Sequence, residues 1–182
     1  MESRTAARVL AEQLLASALP RRWSHVTAVA RKANQIGSLF AEADKEALVA
    51  AAWLHDIGYA AEVAQTGLHA LDGARWLRRS EWDPRVSALV AYHSCAIYEA
   101  EERGLSHFLR SEFADEESAV RDALWYADMT TGPDGREMTA LQRLAEVRQR
   151  YGPSHVVTRF WARAEPVLLA AVARTERLLQ AG

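Results

Sequence analysis

Residues 44–62 read DKEALVAAAWLHDIGYAAE, a helical pattern whose buried turn runs directly into a histidine and an aspartate. His55 follows Leu48 and Ala51 at spacings of seven and four, so its imidazole lies on the apolar face of a predicted helix. Asp56 comes next, in the same buried turn. Because an ionised carboxylate is costly to bury alone, buried acids normally have a partner or bind a metal ion. The rest of the chain must therefore supply a partner for the His55–Asp56 pair.

Helical periodicity dominates the remaining sequence, and few alternating β-branched runs compete with it. The TTGPDG sequence at 130–135 indicates a loop, and Pro166 is expected to kink the last helix. The predicted helices run from Ser3 to before Pro20, Ser24 to about Phe40, Asp44 to Gly58, Leu68 to Ser80 and Pro84 to Gly104, and then over 114–129, 136–152 and 154–180. The sequence therefore predicts an all-α, single-domain protein.

The composition is typical of a soluble globular protein. Of the 182 residues, 49% are hydrophobic and 25% are charged. The net charge of -2 argues against a broad nucleic-acid-binding surface. No stretch approaches the roughly 20 apolar residues that a membrane helix needs. The single cysteine, Cys95, suits a reducing compartment and is predicted to be a small packed residue. We therefore expect a cytoplasmic protein with no membrane partner, and homo-oligomerisation stays open.

Polar side chains recur on the apolar faces of five predicted helices. His93 lies in line with Leu89 and Val90, and Asp128 lies in line with Leu124. A lone inward histidine is usually a hydrogen-bonded core residue, but four of the six histidines share this placement. A shared divalent cation would compensate buried imidazoles and carboxylates together. The candidate ligands are His25, His55, Asp56, His69, His93 and Asp128. Imidazole and carboxylate without thiolate favour Fe, Mn, Co, Ni or Zn outside a structural zinc site.

The order of these residues resembles the HD superfamily of metal-dependent phosphohydrolases. HDIGY at 55–59 is a typical form of its signature, and LWYADMTTGPDG at 124–135 resembles the segment that carries its last aspartate. The histidines in TGLHALDGARWL and LVAYHSCA are similar to those of the subgroup that holds two metal ions. The resemblance covers about residues 20–136 and is closest to bacterial HD-type symmetrical diadenosine tetraphosphatases. That group has an arginine three residues before the first histidine, here Arg22, and a lysine soon after HD, which IGYAAE lacks.

The resemblance implies an HD-type helical bundle at about 20–136, with C-terminal helices at about 137–182 packed on it. One ion would be held by His25, His55, Asp56 and Asp128. Asp56 would bridge to a second ion, held by His69 and His93. One or two divalent transition-metal ions are expected, with Fe or Mn ahead of Co, Ni and Zn. The implied catalytic residues are Asp56 and two phosphate-contacting arginines, Arg22 and Arg136.

The implied reaction is hydrolysis of a phosphate ester or anhydride, with a nucleotide-type substrate, by metal-activated hydroxide. Two alternatives stay open: a di-iron oxygenase that cleaves a C–C or C–P bond with the same ligands, and a non-catalytic nucleotide-sensing HD module. Thr130 and Thr131 are expected to stabilise a turn rather than touch substrate. Arg143, Glu146 and Arg150 are expected on a solvated helix face with i, i+4 ion pairing, and a position at the mouth of the pocket is the alternative. The two remaining histidines, His107 and His155, are placed outside the site.

Overall fold

The computed structural model describes residues 2–152 and 154–181, and the fold of these residues is all-α, as predicted. The helices are α1 (Glu2–Leu15), α2 (Pro20–Ile36), α3 (Glu42–Leu54), α4 (His69–Arg79), α5 (Pro84–Tyr92), α6 (Ala96–Glu102), α7 (Ser106–Glu112), α8 (Ala119–Met129), α9 (Ala140–Tyr151) and α10 (Val156–Ala181). Short 3-10 turns lie at Gly37–Leu39, Ile57–Tyr59 and His93–Cys95. The β-structure of the described residues is one isolated bridge, between Thr131 and Glu137.

Helix α3 packs against α1, α2, α5 and α8, and its second half is enclosed by them. Residues 47–52 and Leu54 are all buried, and four of them are alanines. A helix that is apolar on all sides must be covered by other elements, and small side chains allow those elements to approach closely. Because α3 ends at Leu54, His55 and Asp56 follow its last turn directly and lie in the protein interior.

Some predicted helix starts are wrong because the structure uses other capping residues. Helix α2 begins at Pro20 rather than Ser24, since proline is favoured in the first turn, and the Ser24 hydroxyl donates to the Pro20 carbonyl oxygen. Helix α8 begins after 114–118, where the Ser118 hydroxyl accepts a backbone N–H. Helix α9 begins after Thr139, which forms a capping box with the helix. Side-chain caps therefore place the two helix starts four and five residues later than the sequence pattern, for α9 and α8 respectively.

The helix predicted over 84–104 is interrupted in the structure, and α7 is an additional helix that the sequence pattern did not predict. Ser94 (φ 45°) and Cys95 (φ 60°) both have left-handed backbone, which costs roughly 1–2 kcal/mol per non-glycine residue. The interruption follows His93, so the imidazole leaves the helix at a turn rather than from a regular helix face. Cys95 is buried, as predicted for a packed residue, and burial raises its pKa to about 12.

The C-terminal helix α10 packs on α6, α8 and α9. Phe160, Trp161 and Leu168 are among its buried residues, and the helix continues through Pro166. No helix in the described part of the chain is both long enough and apolar enough to cross a membrane.

Gly58 allows the turn after α3 to contact the start of α4. A Cβ atom at this position would lie 1.9 Å from the carbonyl oxygen of His69, far inside any real contact distance. The missing side chain therefore brings the backbone that carries His69 directly against the turn that follows His55 and Asp56.

Gly58→Ala is expected to lower the free energy of unfolding by roughly 2–3 kcal/mol, because two backbone segments must separate to admit the methyl group. Gly37→Ala is the matched control, since its Cβ would meet the flexible side chain of Lys45, with 2.7 Å to Cγ. Urea unfolding measures both variants. Equal losses of stability in the two variants would show that the close contact between Gly58 and the His69 carbonyl does not determine the loss.

Candidate metal centre

The first candidate metal triad consists of His25 from α2, His55 after α3 and Asp128 from α8. His25 Nε2 lies 3.0 Å from Asp128 Oδ1, and His55 Nε2 lies 4.0 Å from the same oxygen. Two ligand atoms that bind an ion at right angles, each about 2.1 Å away, are about 3.0 Å apart. The spacing of this buried triad is therefore compatible with one shared ion.

The second candidate triad consists of Asp56, His69 and His93. The Nε2 atoms of His69 and His93 are 3.1 Å apart, and His69 Nε2 lies 3.5 Å from Asp56 Oδ1. Two imidazole nitrogens at this distance need a proton or a cation between them, because two lone pairs repel each other. This triad also has the spacing of a metal site.

Asp56 connects the two triads, because each of its oxygens faces a different one. Oδ1 faces His69, whereas Oδ2 lies 3.4 Å from His55 Nε2 and 3.9 Å from His25 Nε2. A bridging carboxylate has this arrangement. The structure therefore brings all six predicted ligands together, while their roles as ligands stay predictions.

Three of the histidines are oriented by a hydrogen bond from Nδ1. Nδ1 donates to a backbone carbonyl oxygen in each case, from His55 to Ala52 at 2.8 Å, from His93 to Val90 at 2.6 Å and from His25 to Gly132 at 2.9 Å. A carbonyl only accepts hydrogen bonds, so Nδ1 carries a proton in each case and Nε2 is the ring nitrogen that faces the centre of the cluster. Metal-binding histidines typically show this outer hydrogen bond.

His55 Nε2 is the cluster atom with the clearest need for a partner. It is buried and makes no hydrogen bond with any residue that the structure describes. Leaving a buried polar atom unsatisfied costs roughly 1–3 kcal/mol. A metal ion at this position would accept the lone pair, so the residues present fit a divalent transition-metal ion.

The electrostatics of the cluster also favour a cation. Burial acts to raise the pKa of Asp56, but the charges of Arg22 and His55 outweigh it and hold that pKa well below its usual value. Burial also acts to raise the pKa of Asp128, but the hydrogen bond with His25 helps to bring that pKa below its usual range. Burial lowers the pKa of His55, whereas Asp56 raises it, and the net value is about 9. Both carboxylates are therefore ionised at neutral pH and attract positive charge.

Ser94 holds the second oxygen of Asp128, because its hydroxyl donates to Oδ2 while Oδ1 faces His25. Ser94 is also one of the two left-handed residues after α5, so a strained backbone position lies beside the cluster, as is common at functional sites. Sequence reasoning did not identify Ser94. Its only sequence signal is its position next to His93.

The loop after α8 supports the first triad. The Gly132 carbonyl accepts the hydrogen bond from His25, and Lys32 Nζ donates to the Thr130 carbonyl oxygen at 2.9 Å. The Thr130 and Thr131 hydroxyls donate to backbone carbonyls one turn earlier in α8. These hydroxyls therefore stabilise the turn, as predicted.

Arg22 lies at the edge of the cluster, where Nη1 donates to Asp56 Oδ2 at 2.7 Å. Its guanidinium lies 3.8 Å from the centre of the Tyr59 ring, and the Tyr59 ring stacks on His69 with 4.1 Å between centroids. Burial lowers the pKa of Arg22, but Asp56 raises it more, so the side chain stays cationic. Tyr59 thus links the predicted phosphate contact to the second triad.

The model of the HD domain family matches residues 22–147, which is more than half of the chain. The chain belongs to the HD domain family. The match contains all six predicted ligands and ends within α9. No curated protein and no solved structure gives a significant match to the chain. HD domains are commonly metal-dependent hydrolases, and the family also has non-catalytic members.

The cluster of this HD domain opens into a cleft of about 420 Å³. The start of α2 and the region around His93 form part of the wall, and the C-terminal helices form another part. The lining residues from α9 and α10 are Arg143, Val147, Arg150, Tyr151, Val157, Phe160 and Trp161. The HD match ends at residue 147, so α10 completes the cleft from outside the matched region.

Arg136 does not lie at the cleft of the HD domain. Its side chain is 86% exposed and its Nε lies 3.3 Å from Asp134 Oδ2. The loop folds back on itself through a hydrogen bond from the Gly132 N–H to the Arg136 carbonyl oxygen, 2.7 Å long, and leaves the side chain in solvent. Its position gives no support to the prediction that Arg136 contacts phosphate.

Arg143 and Arg150 both line the cleft. The solvated face predicted for them is wrong for Arg143, whereas Arg150 is exposed and forms the expected i, i+4 ion pair with Glu146. Arg143 is only 9% exposed. It stands three residues after Ala140 and four before Val147, both of which are buried. The spacing that singles out the histidines therefore applies to Arg143 as well, and that was the available signal.

Proposed function

We propose that this HD domain is a metal-dependent phosphohydrolase that releases phosphate from a small phosphate ester or anhydride, with a nucleotide-type substrate. The observation that carries the proposal is the pair of His/Asp triads joined through Asp56 and opening, beside Arg22, into a cleft. Metal-binding histidines without an open, charged cleft would fit a structural site equally well. The cleft is what favours catalysis.

The residues that would hold one ion are His25, His55 and Asp128, and those that would hold the second are His69 and His93, with Asp56 shared. Bound there, such ions supply Lewis acidity and lower the pKa of a coordinated water. Fe and Mn are our expected metals, and Co, Ni and Zn suit the same imidazole and carboxylate donors.

Arg22 would orient the substrate phosphate. A guanidinium presents paired donors that match two phosphate oxygens, and its charge persists at every working pH. Tyr59 and Asp56 hold the group in place on two sides, which limits the conformational entropy lost on binding. Ser94 would keep Asp128 in one rotamer and so preserve the geometry of the first triad.

The test is phosphate release from a panel of phosphate esters, nucleotides and dinucleoside polyphosphates by protein purified anaerobically and loaded with Mn or Fe. We expect turnover that His69→Ala reduces strongly and that His107→Ala leaves unchanged, because His107 lies outside both triads. Metal content is measured on the same samples. Oxygen consumption without phosphate release would replace the proposal by the di-iron oxygenase, and tight nucleotide binding without turnover would replace it by a sensing module.

A further inference from the structure

The part of the cleft wall formed by α9 carries an excess of positive charge. Arg143 Nη1 donates to Glu146 Oε2 at 2.8 Å, and Arg150 Nη2 donates to the same oxygen at 3.1 Å. One carboxylate thus faces two guanidinium groups, which we call the α9 arginine pair, Arg143 and Arg150. The pair and Glu146 together keep a net charge of plus one.

The guanidinium of Arg143 keeps most of its donors free of other side chains. A guanidinium has five N–H donors, and within the described residues the side chain of Arg143 makes one hydrogen bond, to Glu146. None of its nitrogens is among the buried polar atoms that lack a partner, so the donors without a protein partner are accessible to solvent. Since Arg143 lines the cleft, the donors that are left can reach a ligand there.

The other charges of the cleft are balanced differently. Glu99 is buried and paired with Arg103 at 2.7 Å, so it does not offset the α9 arginine pair. Arg22 is paired with Asp56, and the proposed ions would draw on that same carboxylate. The cleft therefore offers cationic groups at the start of α2, where Arg21 and Arg22 line it, and a further cationic position on α9.

We propose that the substrate of this HD domain carries two anionic groups: a phosphate bound at the metal centre beside Arg22, and a second phosphate or a carboxylate bound by the α9 arginine pair. The first half of this inference rests on the proposed function. The volume of about 420 Å³ is within the range of small-ligand sites, so both groups and a short connection between them fit the cleft. A substrate with a single phosphate would leave the net positive charge of the α9 arginine pair and Glu146 without a counter-charge from the substrate.

The experiment measures the binding of non-hydrolysable anions to metal-loaded protein by calorimetry. The one-anion probes are methyl-, ethyl- and propylphosphonate. Phosphonoacetate and its two longer homologues add a carboxylate, and methylene- and ethylenebisphosphonate add a second phosphonate. We expect the best two-anion probe to bind roughly tenfold or more tighter than the alkylphosphonate of equal length. Tighter binding of the phosphonocarboxylates would identify the second group as a carboxylate, and tighter binding of the bisphosphonates would identify it as a phosphate. The chain length of the tightest-binding probe reports the separation of the two cationic positions.

Arg143→Gln should remove this preference, and Arg143→Lys should keep most of it because the charge remains. Arg148→Gln is the matched control: it breaks an ion pair between α9 and α10, with Glu165, but Arg148 does not line the cleft. This control separates a loss of the anion site from a general loosening of the two helices. Calorimetry also shows whether a preference arises only from chelation of the metal, because Arg143→Gln would then leave it intact.

Equal binding of one-anion and two-anion probes, a preference that survives Arg143→Gln, or no binding of any probe would each overturn the inference. If the preference is present but no ester in the panel releases phosphate, the proposed function fails and the two-anion ligand class stands. If phosphate is released but two-anion probes are not preferred, the proposed function stands and the two-anion ligand class fails. The two proposals therefore fail separately.

Discussion

Asp56→Asn is expected to abolish the binding of both metal ions and to lower phosphate release roughly a thousandfold or more. Asn has nearly the same shape but no negative charge, and it has one oxygen in place of the two that face His69 and His55. The variant therefore removes the connection between the triads without removing side-chain volume. Metal analysis of anaerobically purified protein, followed by phosphate assay, measures both effects.

Asp72→Asn is the control for this variant. Asp72 is also buried, but it accepts hydrogen bonds from the backbone of Gln65 and Thr66 and belongs to neither triad. The Asp72→Asn variant should be less stable than the wild type but should keep its full metal content. Full metal content in Asp56→Asn would contradict the bridging role of Asp56. It would favour either two metal sites that are independent of each other or a single metal site.

Arg22→Gln is expected to lower phosphate release about 100-fold while metal content is unchanged or increased. Arg22 neutralises Asp56 through a 2.7 Å hydrogen bond, so its removal makes the site more negative and no less attractive to a cation. The orientation of the phosphate is lost at the same time. Arg22→Lys should recover part of the rate, because a lysine supplies charge without the paired donors.

The matched control for Arg22 is Arg31→Gln, which changes an exposed arginine on the same helix. Steady-state kinetics and metal analysis are carried out on the same samples, because the prediction is that the rate of phosphate release falls while the metal content does not. A parallel loss of metal and activity in Arg22→Gln would mean that Arg22 supports the metal centre and has no separate role in orienting phosphate.

The candidate ligands could be found from the sequence because they obey helix periodicity. His25, His55 and Asp128 each stand on an apolar stripe, and packing such stripes together brings their polar members into one interior cluster. The same logic predicts the all-α fold, since helix faces are encoded locally. Neither result requires knowledge of loop conformations.

The failures have a common physical origin in features that local patterns do not encode. Ser94 and Cys95 carry no helix-breaking signal, yet tertiary contacts hold both in left-handed backbone. The direction of Arg136 depends on how the loop before it folds back. Arg143 satisfies the periodicity test, but a charged residue with ion-pair partners one turn away fits a solvated face equally well, so the sequence alone does not decide between the two positions.

Two helices end at the metal centre, and this geometry has an electrostatic consequence of its own. His55 and His93 are the first residues after α3 and α5, and each uses a carbonyl of the last helical turn as its Nδ1 acceptor. The carbonyl end of a helix carries a partial negative charge of about half an electron through its macrodipole. Two such ends, added to the carboxylates, attract cations and repel anions, and side-chain substitution leaves the helix contribution in place. A phosphate group is therefore expected to enter the centre only after a metal ion has done so, which makes binding ordered.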